Sequence, residues 1–189
     1  HMDATRQLRH DFRQHLHVIA GLSEAKKYDK LNDYLAEYEG RLAAPHTMLC
    51  ANAALDAIAG HYQRIAETQN TRISWRLDLP ERLPLDEVDL CMMLGNLLEN
   101  ALRAVCALPI GQRTVTVISS MISDAMLGLS VENGFVGDVV FGRDGLPVAR
   151  KRGHGIGLPS VAATVKRYNG TLSVTAKDGT FGVNILLSL

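Results

Sequence analysis

Three histidines near the start of the chain are the first residues that could do chemistry. His10, His15 and His17 lie within the segment RHDFRQHLHVIAGL, which spans residues 9–22. An imidazole ring can bind a metal, act as a nucleophile or proton carrier, or lie unused on a helix surface. A zinc site is disfavoured, because no set of carboxylates or cysteines accompanies the three rings to complete a tetrahedral centre. The nucleophile and the ordinary surface residue both remain open.

A second candidate group lies in the segment LGNLLENALRA, residues 94–104, inside a helix predicted from about Glu87 to Leu108. At about 100° per residue, Asn100 and Arg103 lie within roughly 40° of Asn96, and Glu99 lies about 60° away. A solvated helix face would give the same pattern. Asparagine is a mediocre helix former, however, and its amide oxygen is a ligand for Mg²⁺ that adds no negative charge near phosphates.

The third group is the glycine-rich segment KRGHGIGLPSV, residues 151–161. Gly153, Gly155 and Gly157 alternate immediately before a predicted helix, and Lys151 and His154 add cationic or donor groups. Glycines allow close backbone approach, and the N–H groups at a helix N-terminus bind phosphate. Taken alone, the pattern is equally typical of a flexible turn.

The hydrophobic periodicity gives the elements that must position these groups. Two helices, over about 4–25 and 29–42, form a predicted hairpin that is too small to bury its own apolar stripe. Pro45 marks a boundary. Beyond it we predict a helix over 52–68, a strand at 73–79, the asparagine helix, two strands at 115–117 and 127–131, a glycine-rich stretch, a helix over 156–168 and a final hairpin turning at Asp178-Gly179. This order predicts an α+β fold with a sandwich of helices on a sheet.

The composition excludes several classes of function. The 20 basic and 20 acidic side chains balance, which argues against nonspecific nucleic-acid binding. No apolar run is long enough for a membrane span, and no signal-peptide pattern is present. Cys50, Cys91 and Cys106 form no CxxC pair, so we expect reduced and mostly buried thiols. The leading His1-Met2 resembles a cloning remnant, and a membrane or sensor region could precede the chain.

Together, in this order, the His-Asp helix, the asparagine helix and the GHGIGL segment resemble the histidine-kinase branch of the GHKL ATPase superfamily. The closest likeness is to kinases of the quorum-sensing-receptor and dicarboxylate-sensor type. The resemblance implies a helical hairpin over 3–45, which is half of a dimeric four-helix bundle. An ATP-binding GHKL α/β sandwich with a mixed, mostly antiparallel sheet would follow over 46–189.

The resemblance also assigns roles within the asparagine helix. It implies that Asn100 is the Mg²⁺ ligand in a site for ATP. Asn96 lies where hydrolytic relatives have a general-base glutamate, and an amide cannot take a proton from water, which favours phosphotransfer over hydrolysis. Arg103 occupies the place of a lysine near the phosphates in many kinases.

The remaining ATP contacts follow from two further segments. VEN, residues 131–133, ends a strand where the family usually has an aspartate that binds the adenine amino group, and Asn133 stands there instead. Its carbonyl can still accept that hydrogen bond, without the assistance of a charge. GHGIGL matches the second glycine box of the family, and the stretch between Gly134 and Arg152 corresponds to a lid that we expect to be mobile until nucleotide binds.

For the first helix, the resemblance implies that His10 is the phosphoacceptor. Its ring points about 160° away from the apolar stripe. Asp11 would accept one imidazole N–H and make the other nitrogen a better nucleophile. Gln14 lies one turn later, where a polar side chain can orient water for dephosphorylating the partner. His15 and His17 are then ordinary helix residues.

The implied protein is a two-component sensor histidine kinase that passes its phosphoryl group to an aspartate of a response-regulator receiver domain. The resemblance further implies a homodimer and a cytoplasmic location attached to a bacterial membrane receptor. Three alternatives stay open at this point: a phosphorelay transferase without ATP binding, a structural dimerisation module, and a true GHKL ATPase.

Overall fold

The computed structural model of the chain describes residues 15–39, 48–148 and 157–189. The chain divides into two compact units, His1–His46 and Thr47–Leu189. In the part of the chain that the structure describes, no helix is both long and apolar enough to cross a membrane.

Over residues 15–39 the first unit forms two helices, α1 over residues 15–24 and α2 at Tyr28–Glu39. The chain leaves α1 through Lys26, which has a φ of 53°. The N–H of Lys27 bonds to the carbonyl of Leu22, and that of Lys26 to Ser23, as in a Schellman motif. His15 Nδ1 lies 2.6 Å from the hydroxyl of Tyr34, which joins the two helices. The predicted hairpin is therefore present over the described residues.

The second unit is a five-stranded sheet covered on one face by three helices. The elements are α3 (Ala53–Thr68), β1 (Arg72–Asp78), α4 (Glu87–Val105), β2 (Thr114–Ser123), β3 (Met126–Gly134), α5 (Gly157–Arg167), β4 (Thr171–Lys177) and β5 (Thr180–Ser188). The strand order is β1-β2-β3-β5-β4. Only β1 and β2 run parallel, and the other three pairs are antiparallel. The predicted mixed, mostly antiparallel sandwich is confirmed.

Alternating side chains explain why only one face of the sheet is covered. Val115 and Val117 of β2 and Leu129 and Val131 of β3 are buried under the helices, while their neighbours in sequence face away from the core. Helix α4 packs centrally against β2 and β3, between α3 and α5. The core therefore lies between α4 and the middle of the sheet.

The predicted turn at Asp178-Gly179 is confirmed by the backbone angles. The φ values are 51° and 73°, so both central residues of this two-residue turn adopt the left-handed conformation. Helices α3 and α5 both end through an asparagine with positive φ, Asn70 and Asn169. Asparagine tolerates this conformation better than most side chains.

Two details of the sequence interpretation are corrected. Helix α4 ends at Val105 rather than Leu108, because residues before a proline are driven out of the helical conformation and Pro109 follows. The last carbonyls close instead in tight turns, including the bond from the N–H of Leu108 to the carbonyl of Val105. Of the three free cysteines, only Cys50 is buried, while Cys106 is exposed.

Candidate functional site

The polar stripe of α4 forms one side of the candidate site. Helix α4 begins at a cap in which Asp86 accepts a hydrogen bond from the N–H of Val88. Its leucines fill the core, so the opposite face is turned outward. On that face Asn96 and Asn100 are half-buried and Arg103 is exposed. The predicted stripe is therefore present, and its two amides are partly removed from solvent.

Gly157, the first residue of α5, lies directly on these two amides. A Cβ atom at Gly157 would come within 3.2 Å of Asn100 Nδ2 and 3.4 Å of Asn96 Oδ1. Even a methyl group would require one of the amides to move by a few tenths of an ångström. The N-terminus of α5, where unpaired N–H groups favour anions, therefore lies beside both asparagines.

A cavity of about 400 Å³ opens next to this contact. That volume lies within the range of small-molecule sites in proteins, about 300–1,000 Å³. Three predicted site residues line it: Asn100, Arg103 and Asn133. Asn96 instead lines the neighbouring groove between α3 and α4. Most of the remaining wall is apolar and comes from α4, α5, β5 and the segment after β3, including Ala104, Leu158, Phe181, Phe135, Val136, Val139, Val140 and Val148.

Asn133 contributes a hydrogen-bond acceptor to this cavity. The residue is 5% exposed, and its Nδ2 donates to the carbonyl oxygen of Gly134 over 2.8 Å. Because a carbonyl can only accept, this bond assigns the nitrogen to Gly134 and leaves Oδ1 to accept a hydrogen bond from a ligand. Asn133 therefore presents an uncharged acceptor among apolar walls.

The apolar walls are held by ordered contacts of the segment that follows β3. The N–H of Phe135 bonds to the carbonyl of Gly179 over 2.9 Å, and its ring meets that of Phe181 edge-on with centroids 6.3 Å apart. Further along, Phe141 and Pro147 pair as a β-bridge, and the N–H of Val148 bonds to the carbonyl of Val140 over 2.8 Å. The glycine-rich stretch thus contains a small hairpin beside the cavity.

Glu99, the acidic member of the stripe, contacts α3. The hydroxyl of Tyr62 lies 3.4 Å from Glu99 Oε1 and can donate to it. Burial of Tyr62, followed by the negative charge of Glu99, raises the pKa of the phenol to about 12. The two helices pack closely at Gly95, where a Cβ would lie 3.4 Å from the Tyr62 hydroxyl. Glu99 therefore belongs to the α3–α4 contact.

Several predicted site residues lie outside the described residues. In the first unit these are His10, Asp11 and Gln14, and in the glycine-rich segment they are Lys151, Gly153, His154 and Gly155. Of the predicted residues that are described, Asn96, Asn100 and Gly157 meet at one point, and Arg103 and Asn133 share the adjoining cavity with Asn100. The contributions of Phe135, Phe181 and the valines were missed, because no local pattern in the sequence marks them.

Comparisons with known proteins place these features in a family. A family described as the GHKL domain matches residues 85–188, which include α4, the cavity and α5. The chain is 29% identical over 191 aligned residues to the sensor histidine kinase DcuS of Escherichia coli K12. That match covers 95% of this chain but 34% of DcuS, so the chain spans about a third of its relative's length.

Two solved structures show the same fold. A mycobacterial sensor histidine kinase, MprB, superposes with a TM-score of 0.53 at 18% identity, covering 71% of this chain and 93% of MprB. The histidine kinase AdeS of Acinetobacter baumannii gives a TM-score of 0.51 at 15% identity, covering 95% of this chain and 97% of AdeS. The fold is thus shared with solved structures of histidine kinases.

Proposed function

Because the chain belongs to the GHKL domain family, we propose that it is the phosphoacceptor and catalytic portion of a two-component sensor histidine kinase. The observation that carries the proposal is the meeting of Asn100, Asn96 and Gly157 at the edge of a cavity that also contains Asn133. These residues come from α4, β3 and α5, and together they offer separate places for the base and the phosphates of ATP.

The base would occupy the cavity. Its flat apolar faces would lie against the wall that includes Phe135 and Val140, and its exocyclic amino group would donate to Oδ1 of Asn133. A neutral acceptor gives a weaker hydrogen bond than a carboxylate, so the apolar contacts supply a larger share of the affinity.

The phosphates would extend from the cavity toward Gly157. The N–H groups at the start of α5 attract anions, and Arg103 adds a positive charge at the cavity edge. Lys151, His154, Gly153 and Gly155 are proposed to complete this phosphate site from the preceding segment.

Asn100 is the proposed holder of Mg²⁺. The side chain fits a hard cation, because an amide oxygen suits Mg²⁺ and would leave further ligand positions to phosphate oxygens and water. When bound, the ion neutralises charge that develops on the transferring phosphoryl group. Asn96 lies beside Asn100 and cannot act as a general base, which favours transfer to a side chain over hydrolysis.

The acceptor of the phosphoryl group is proposed to be His10. One ring nitrogen attacks the γ-phosphorus, a nitrogen–phosphorus bond forms, the bond to the β-phosphate oxygen breaks, and ADP leaves. Asp11 accepts the N–H of the other ring nitrogen. The phosphoryl group then passes to an aspartate of a response regulator. Gln14 is proposed to orient water for the opposing phosphatase reaction, in which the phosphoaspartate is hydrolysed to aspartate and inorganic phosphate.

The proposal includes a homodimer formed through the helical hairpin. On α1, Leu16 is 48% and Val18 41% exposed, so the described part of the hairpin presents apolar side chains at its surface. A second copy could bury them in a four-helix bundle. A membrane-bound sensor region elsewhere in the protein would place this portion in the cytoplasm.

Incubation with γ-labelled ATP and Mg²⁺ tests the proposal. We expect label that is labile in acid and stable in base, as a phosphohistidine is. His10→Ala should abolish the label, whereas His17→Ala, which removes an exposed histidine from the same segment, should retain it. Unchanged labelling of His10→Ala would contradict the assignment of the acceptor.

Asn100→Ala separates this proposal from the alternatives. It should remove both Mg²⁺-dependent ATP binding and labelling. If the unsubstituted chain binds no ATP in calorimetry, it would instead be a phosphorelay transferase or a dimerisation module. Steady multiple-turnover hydrolysis would instead indicate an ATPase.

A further inference from the structure

A cluster of polar side chains joins the start of α4 to the end of α5. Arg167 Nη2 donates to Asp89 Oδ1 over 2.7 Å, and the hydroxyl of Tyr168 donates to Asp89 Oδ2 over 2.9 Å. The same hydroxyl accepts a bond from the N–H of Asp86, 3.3 Å away. Both oxygens of the Asp89 carboxylate therefore bind the end of α5. We call Asp89, Arg167 and Tyr168 the α4–α5 clamp.

The clamp and the phosphate site lie at opposite ends of α5. Asp89 is in the first turn of α4 and contacts the end of α5, whereas Asn96 and Asn100 lie further along α4 and contact the start of α5. The two helices therefore run antiparallel. At 1.5 Å per residue, the 11 residues of α5 place Gly157 roughly 15 Å from the clamp.

The axial position of α5 matters at the Gly157 end. Gly157 lies so close to both amides that a Cβ would contact them at 3.2 and 3.4 Å. Sliding α5 by a fraction of one residue step would either press Gly157 into the amides or open a gap beside them. The N–H groups that would receive the phosphates would move by the same amount.

Among the described residues, the clamp supplies side-chain hydrogen bonds that join α5 to α4. The buried side chains of α5 are Val161 and Val165, and apolar burial is not directional. Hydrogen bonds are directional, and weaken steeply when donor and acceptor are misaligned. The clamp is in turn fixed to the sheet, because the carbonyl of Tyr168 accepts a bond from the N–H of Ser188.

We propose that the α4–α5 clamp is a positioning device for the phosphate site, holding α5 where Gly157 rests on Asn96 and Asn100. This inference rests on the proposed function and extends it to side chains about 15 Å from the phosphates. The clamp residues are positioning residues, since they are too far away to touch the nucleotide.

The test compares two ligands on the full chain by calorimetry. The first is a non-hydrolysable ATP analogue with Mg²⁺, and the second is adenosine, which carries no phosphates. Tyr168→Phe removes the hydroxyl and keeps the ring, and Asp89→Asn removes the charge. The matched controls are Tyr28→Phe and Asp124→Asn, which make the same changes at exposed positions in α2 and in the β2–β3 turn.

Both clamp variants should bind the Mg²⁺–ATP analogue roughly fivefold or more weakly and adenosine with unchanged affinity. The controls should match the unsubstituted chain. Equal weakening of both ligands would show general damage and overturn the inference, as would unchanged affinity for the ATP analogue. If Asp89→Asn does not fold, Tyr168→Phe decides the outcome.

Failure of the two proposals can be told apart. An unsubstituted chain that binds no Mg²⁺–ATP analogue would overturn the proposed function, and this inference with it. An unsubstituted chain that binds the analogue, with clamp variants that bind it equally well, would overturn the positioning role alone.

Discussion

Asn133→Asp should destabilise the protein, although it introduces the residue that the family resemblance leads one to expect at this position. In the present structure Nδ2 of Asn133 donates to the Gly134 carbonyl over 2.8 Å. A carboxylate would put an oxygen in place of that nitrogen, facing another oxygen at the same distance. The residue is 5% exposed, so water cannot easily relieve the contact.

The size of the effect follows from the bonds that change. The substitution removes one neutral hydrogen bond, about 1 kcal/mol net, and leaves a buried acceptor unpaired, about 1–3 kcal/mol. We therefore expect the free energy of unfolding at pH 8 to fall by about 2–4 kcal/mol. For a domain of this size that corresponds to a drop in melting temperature of roughly 6–12 °C.

The pH dependence gives the prediction a second signature. Burial and the facing carbonyl would raise the pKa of the introduced carboxyl group above its unfolded value of about 3.9. Once protonated, the group can donate to Gly134 and restore the bond. The stability deficit should therefore be largest at high pH and should shrink as the pH falls through the raised pKa.

The assay is urea denaturation of the variant and the unsubstituted chain between pH 5 and pH 8. Asn184→Asp is the control, because it makes the same change at an exposed position of β5. A variant as stable as the unsubstituted chain at pH 8 would refute the assigned orientation of the Asn133 amide.

Three further predictions concern other parts of the sandwich. Gly157→Ala should weaken binding of the Mg²⁺–ATP analogue about tenfold in calorimetry, about 1.4 kcal/mol, because its methyl group displaces the two amides. Gly21→Ala, whose Cβ meets no atom within 4 Å, is the control, and equal affinity of Gly157→Ala and the unsubstituted chain would count against the contact. In a spectrophotometric titration one tyrosine should ionise near pH 12, and this ionisation should be absent from Tyr62→Phe; ionisation of every tyrosine by pH 11 would contradict the raised pKa. The free energy of unfolding should fall as pH rises from 10 through 12, because the folded state keeps a proton that the unfolded state releases. Asn52→Ala should lower the free energy of unfolding in urea by about 2–4 kcal/mol, since this fully buried helix cap makes three hydrogen bonds, and a loss below about 0.5 kcal/mol would refute that role.

Local patterns in the sequence were sufficient for the elements and for the polar face of α4. Helical periodicity placed Asn96, Asn100 and Arg103 on one face, because that geometry depends only on the spacing within the helix. The turn at Asp178-Gly179 was also predictable, since both residues adopt positive φ readily. The end of α4 was placed too late, because periodicity continued past Val105 while Pro109 had already disfavoured the helix.

Contacts between distant segments could not be read from the same patterns. Helical periodicity placed Glu99 near the polar face of α4, but it could not show that Tyr62, 37 residues earlier, would contact it. Asp89 and Tyr168 are separated by 79 residues, and neither belongs to a recognisable motif. Such pairs depend on the packing of whole helices, which periodicity alone does not determine.

The most direct test of the central claim is to map where nucleotide binds. Backbone amide resonances of the chain would be followed by NMR while a Mg²⁺–ATP analogue is added. We expect the largest shifts at Phe135, Gly157 and Leu158, around the cavity, and almost none at Asp124 in the β2–β3 turn. Shifts concentrated around Met92, in the groove between α3 and α4, would contradict the proposed nucleotide site.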